Sequence, residues 1–169
     1  MTHLLDYQPL NLYTNYQEAA EKTPTVPIIF DESLPAFPAL GLETTYGESH
    51  QEILKRAYQL AALGVKKGDK IIIYKSPKFD TYLLAVAASY LAAVPVMVSY
   101  HLPFETIEVF VDRLEDPYIL FDDVTAEKVQ AVRNSSANKK LSVASLLEAD
   151  ATEVPQDELT KDEIAYMTH

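Results

Sequence analysis

The chain has four histidines, His3, His50, His101 and His169, and no two of them lie three or four residues apart. A helical zinc face needs that spacing, so none is expected. Ser49-His50 puts a nucleophile type beside a base type, but sequence neighbours on a helix point to different sides. No G-x-S-x-G elbow accompanies them, and both are read as solvated residues of a first helical turn. Absence of cysteine removes disulfides, thiolate metal ligands and thiol nucleophiles together. Only four glycines occur, Gly41, Gly47, Gly64 and Gly68. A phosphate cradle needs clustered glycines so that backbone N–H groups can close on the anion. The one close pair, in GVKKG at 64–68, lacks both nucleotide-loop spacings and is read as a helix stop followed by a turn. Carboxylates are abundant, for example Asp112, Glu115 and Asp116, or Asp122 and Asp123; on helix ends and loops they read as a solvated acidic surface. His101 follows a candidate parallel strand, at the end where α/β sheets bind ligands. It is the best single candidate for a polar site residue, against the plainer reading of a residue entering a helix. These readings assign no catalytic, cofactor-binding or metal-binding residue.

The elements that would position such residues alternate. A helical patch carries Leu12, Tyr16, Ala19 and Ala20 on one face. Val26–Phe30 reads as an edge strand because of its proline, and a Pro-rich turn segment leads to a short strand ending near Tyr46. Thr45 and Glu48 have capping-box spacing ahead of a helix that Gly64 stops. Ile71-Ile72-Ile73-Tyr74 is a continuous apolar run, as in a parallel strand covered on both faces. Ser76-Pro77 reads as an N-cap and first helical residue, opening a helix to about Ala92 that is apolar nearly all round. A strand follows at Val94–Val98, with Pro95 at its start. A helix begins near Pro103, with Ile107, Phe110, Val111 and Leu114 at helical spacing. Then come a strand at Tyr118–Phe121, a short helix to about Arg133, a brief strand at Leu141–Val143 and a helical turn at Ser145–Glu148. A last strand is read at Ile164–Met167. This order predicts one α/β domain over 1–169 with a mostly parallel sheet and flanking helices. Residues 1–24 form a partly helical lead-in, and 149–163 a loose acidic connector.

Composition limits the partners. Apolar residues make up 48% and charged residues 23% of the chain, as in globular proteins. A formal charge of −11 opposes nucleic acid and anionic membranes. Residues 81–104 carry no formal charge with His101 neutral, but Pro95 divides an Ala- and Leu-rich half from a Val-rich half. A buried helix feeding a buried strand is preferred to a membrane span. The N-terminus shows no signal peptide, and a cytoplasmic location is expected.

Residues 60–99, LAALGVKKGDKIIIYKSPKFDTYLLAVAASYLAAVPVMVS, resemble the N-terminal part of adenylate-forming (AMP-binding) enzymes: acyl- and aryl-CoA synthetases, luciferases and peptide-synthetase adenylation domains. Thr45-Tyr46, Leu102-Pro103 and the strand Tyr118–Phe121 fall in matching order. One departure is Ala92, where the family usually has glycine; a change in local packing is expected there. In the family, a strand like Ile164–Met167 runs into a Ser/Thr/Gly-rich loop, T-S-G-T-T-G-x-P-K, that holds the ATP phosphates. Here only the lead-in Met167-Thr168-His169 is present. The resemblance implies ATP, Mg²⁺ and CoA or a carrier thiol as cofactors of a longer enzyme acting on a carboxylic acid, and none of them for residues 1–169 alone. It implies the remainder of the parent chain as a partner, with an apolar face left open to self-association. The alternative is a stand-alone, non-catalytic α/β binding or interaction module.

Overall fold

A computed structural model describes residues 11–169; His3 and the first part of the expected lead-in lie outside them. The first helix, α1 (Leu12–Lys22), is capped by Asn11, whose side chain accepts from the Tyr13 N–H. It buries Tyr13, Tyr16 and Ala20. Strands β1 (Pro27–Ile29) and β2 (Glu43–Thr45) pair antiparallel in a separate two-stranded ribbon. Helix α2 (Tyr46–Ala62) starts where the capping spacing predicts: the Thr45 hydroxyl accepts from the Glu48 N–H at 3.2 Å. The reciprocal arm departs from the motif, because the Glu48 carboxylate takes the Thr44 hydroxyl instead. Gly64 ends the helix with φ +100°, a conformation that costs a residue without Cβ nothing.

The main sheet has five parallel strands: β3 (Lys70–Ile73), β4 (Val94–Met97), β5 (Tyr118–Phe121), β6 (Lys140–Ser142) and β7 (Met167–Thr168). Their order is β6-β5-β3-β4-β7. Helix α3 (Asp80–Tyr90) links β3 to β4, and α4 (Phe104–Leu114) carries the chain back past β3 to β5. Right-handed crossovers in opposite directions place helices on opposite faces, and the packing agrees. Ile71, Ile73, Leu120 and Leu141 face a large core built with α1, α2, α3 and α6 (Val143–Glu148). Ile72, Tyr74, Val96 and Ile119 face a smaller one with α4 and α5 (Ala126–Ala131). This alternation is the period-two geometry of a strand, and it explains the unbroken apolar run of β3. The α/β class with a largely parallel sheet is thus the observed architecture.

Four local readings are revised. Ser76 does not cap a helix: α3 opens only at Asp80, because the Ser76 hydroxyl is engaged elsewhere, as described below. Pro95, by contrast, lies at the start of β4 as expected, as its second residue. The Val94 N–H bonds Asp69 on the β3 side, so the proline's absent donor faces the other side, before β7 pairing begins at Val96. Val143 belongs to α6, and the last strand covers Met167–Thr168. Ala92 sits at φ +52°, the left-handed region that favours glycine. Its departure from the family pattern is therefore a matter of backbone conformation before packing.

Because β6 and β7 lie at opposite edges, residues 149–166 must cross the whole sheet. They form no regular element but are tied at backbone positions. The Tyr90 hydroxyl donates to Val154 O (2.7 Å), the Asp157 N–H to Tyr90 O (3.1 Å) and Lys67 Nζ to Glu158 O (2.7 Å). Among the described residues, no helix is long and apolar enough to cross a membrane; residues 81–97 hold the buried helix α3 and strand β4, and a partly exposed turn leads from them to α4.

Candidate functional site

The C-terminal ends of β3 and β5 hold the densest buried polar cluster among the described residues. Lys75 follows β3 and is completely buried with Asp80, the first residue of α3. Its ammonium lies 2.5 Å from Asp80 Oδ1, 3.7 Å from Asp122 Oδ2 and 3.3 Å from Ser76 Oγ. Asp80 Oδ2 also accepts the Ala36 N–H at 3.0 Å, which holds the segment after β1 over the end of the sheet. Asp122 accepts the Ser76 hydroxyl and the Ser76 N–H (3.1 Å), and its other oxygen takes the Val124 N–H at 3.1 Å. The Thr125 hydroxyl donates to Tyr74 O at 2.5 Å. One carboxylate thus ties the loop after β3 to the loop after β5.

Each charge in this cluster has partners of opposite sign or oriented donors, which is what makes its burial tolerable. The Lys75 donors are all directed to oxygens, so the ammonium acts as a counter-ion and not as a base or nucleophile. The cluster's role is to hold two loops at the ligand-binding end of a parallel sheet. Sequence reasoning misread Asp122 as solvated, and its neighbour Asp123 is indeed exposed. The pairing joins residues 46 positions apart, which no local pattern reports. Asp112, Glu115 and Asp116 are exposed.

His101 lies in the exposed turn after β4, with its ring 3.9 Å from that of Tyr100. The turn is anchored from beneath: Lys128 Nζ donates to Tyr100 O (2.8 Å), and the Tyr74 hydroxyl donates to Leu102 O. His101 is not joined to the Lys75 cluster. Ser49 and His50 are brought to α1, not to solvent. Ser49 is fully buried with its hydroxyl 2.5 Å from that of Tyr16, and His50 Nε2 is 2.9 Å from the Tyr13 hydroxyl. Burial lowers the His50 pKa, partly opposed by Glu21, and pushes the Tyr13 and Tyr16 hydroxyls up to about 12. The pair fastens α1 to α2 and forms no nucleophile–base couple. Arg56 is likewise interior, donating to Ala36 O at 2.6 Å and to Gln59 Oε1 at 2.9 Å.

Strand β7 lies beside β4 in register Val96↔Met167 and Met97↔Thr168, and the His169 N–H bonds Met97 O at 3.1 Å. Its end therefore points to the same side of the sheet as the Lys75 cluster and the His101 turn. Met167–Thr168 is plain strand, and no three of the histidines and carboxylates among the described residues are grouped to hold a metal.

Comparison with known proteins completes the picture. The 3-amino-2-hydroxy-4-methoxybenzoate diazotase of Streptomyces cremeus is 33% identical over 110 residues, 65% of this chain and 20% of that protein. A long-chain-fatty-acid-CoA ligase from Archaeoglobus fulgidus has the same fold at TM-score 0.76 and 15% identity, over 99% of this chain and 37% of its own. A benzoate CoA ligase from Burkholderia xenovorans gives TM-score 0.73 at 18% identity, over 93% of this chain and 32% of its own. The chain thus spans about a fifth of the curated relative and about a third of these two structures. The family model described as AMP-binding enzyme matches residues 16–169, and the chain belongs to that family of adenylate-forming enzymes.

Proposed function

We propose that this chain is the N-terminal segment of an ATP-dependent ligase that activates a carboxylic acid. The carboxylate would attack the α-phosphate of ATP, releasing pyrophosphate and leaving an acyl-adenylate. A thiol of CoA or of a carrier protein would then displace AMP, as in an acyl-CoA synthetase. The observation that carries the reading is the family match along nearly the whole described chain, together with the 20–37% of each relative's length that the chain covers. Charge building up on a transferring phosphate requires oriented donors and a cation. No step of the reaction is assigned to the described residues. Their part is to frame the sheet: the Lys75 cluster fixes the loops after β3 and β5, and β7 sets the direction in which the chain leaves β4's side.

The curated relative, named as a diazotase of an aminohydroxybenzoate, is the reason for including aryl acids bearing amino and hydroxyl groups among the acids tested. The test is ATP–pyrophosphate exchange by the full-length protein with a panel of alkyl, benzoic and aminohydroxybenzoic acids. Exchange that depends on one acid class is expected, and thioester formation with CoA or a carrier then identifies the acceptor. Exchange with no acid of the panel, by a folded protein that binds ATP, would contradict the reading. Reading the gene past codon 169 is the cheap companion: an in-frame Ser/Thr/Gly-rich loop is expected.

A further inference from the structure

A second candidate site lies on the α1, α2 and α3 side, apart from the Lys75 cluster. Tyr16 and Asn15 of α1, Ile28 of β1, Tyr46 at the start of α2, and Phe79 and Tyr82 at the start of α3 line a pocket of about 180 Å³. Ala19 of α1 completes the lining, and four of the seven residues are aromatic. The ring centroids of Tyr16 and Tyr46 are 5.6 Å apart, those of Tyr16 and Tyr82 6.4 Å, and those of Phe79 and Tyr82 5.5 Å. Interplanar angles of 48–51° splay the rings, so they wall the space without closing it by stacking. Phe79 stands at the edge with 46% of its surface exposed, next to a helix that is otherwise buried.

Polar groups converge on the same space. The Tyr16 hydroxyl is engaged with Ser49, which fixes that ring. The hydroxyls of Tyr46 and Tyr82 have no hydrogen-bond partner among the described residues. Burial raises the Tyr82 pKa, so its hydroxyl stays a donor. Asn15 adds an amide at the rim. An apolar, concave site with a few convergent polar groups is the usual form of a small-molecule site.

Size and charge define the occupant. A cavity of about 150 Å³ lined by apolar side chains accepts benzene, so this pocket matches one ring with one small substituent. No charged side chain lines it, and the chain as a whole carries −11, which disfavours an anionic ligand. We propose that this pocket binds a neutral monocyclic phenol or aniline, its ring against Phe79 and Tyr82 and its hydroxyl or amine toward the Tyr46 and Tyr82 hydroxyls. The site involves neither ATP nor the acid to be activated, so its test is separate from that of the ligase reading.

The test is a titration of the full chain, followed by amide NMR shifts, with phenol, benzene, cyclohexanol and benzoate as probes. Phenol is expected to saturate shifts around Tyr46, Phe79 and Tyr82, with cyclohexanol and benzoate about tenfold weaker. Phe79→Ala, at an exposed position, is expected to weaken phenol about tenfold. Tyr82→Phe, which keeps the ring, is expected to weaken it about threefold while leaving benzene binding unchanged. Equal binding of cyclohexanol, binding untouched by both variants, or no saturable shift would overturn the proposal. So would a concentration-dependent dimer whose interface is this patch, because a second copy would then be the occupant.

Discussion

Strands β3 and β7 are both parallel neighbours of β4, yet they are held very differently. β3 is hydrogen-bonded on both sides, to β4 and β5. Its three isoleucines are completely or almost completely buried. β7 has two residues and pairs with β4 alone. Met167 is half-buried, while Tyr166 and Ile164 are 41% and 53% exposed. The centre of the sheet is thus fixed by burial from two faces and by a buried ion cluster at its end, while the β7 edge rests on few contacts. Stability is concentrated at β3, and substitutions at β7 should leave the frame intact.

The largest expected effect is at the β3 end. Lys75→Ala leaves Asp80 and Asp122 buried without their counter-ion and is expected to cost about 3–5 kcal/mol, measured by denaturant unfolding. Lys75→Met combined with Asp80→Asn should recover part of that loss, since replacing both partners removes the orphaned charge. Ile72→Ala is expected to cost about 2–5 kcal/mol through the cavity it leaves. Met167→Ala, at a half-buried edge, should cost under about 1 kcal/mol. Equal losses at Ile72 and Met167 would erase the contrast between the strands.

Smaller effects sharpen it. Ala92 follows α3 at φ +52°, and relief of left-handed strain competes with the extra chain entropy of glycine. Ala92→Gly is expected to stabilise by up to about 1 kcal/mol, whereas a β-branched residue there should cost about 1–3 kcal/mol. The smallest effect is at His50. Its pKa is lowered in the folded state by burial, so the unfolded chain binds the proton more readily. Its contribution is complete above the ordinary histidine value of about 6.5 and is lost as pH falls toward the lowered folded value. His50→Gln should flatten stability across that window.

How much of this was legible in the sequence depends on the range of the interaction. β5 is found at the residues its apolar run marks, and Gly64 ends α2 as its conformational freedom requires. Such features depend on neighbours one to four residues away. Ser76, Asp122, Ser49 and His50 were misread because their partners lie 33–46 residues distant. A serine before proline looks like a cap until a distant carboxylate claims its hydroxyl. The position of β7 was shifted for a related reason: its pairing is chosen by the β4 register, and the apolar residues before it stay exposed. The aromatic pocket left no signal either, since its walls come from four separate elements.

As proposed, residues 11–169 frame an adenylate-forming enzyme whose chemistry needs the rest of the longer chain. The most direct measurement is pyrophosphate release from ATP by the purified 169-residue chain, across the same acid panel, beside the full-length protein. The account predicts acid-dependent release by the full-length protein and none above background by the chain alone. Acid-dependent release by the 169 residues alone would contradict it.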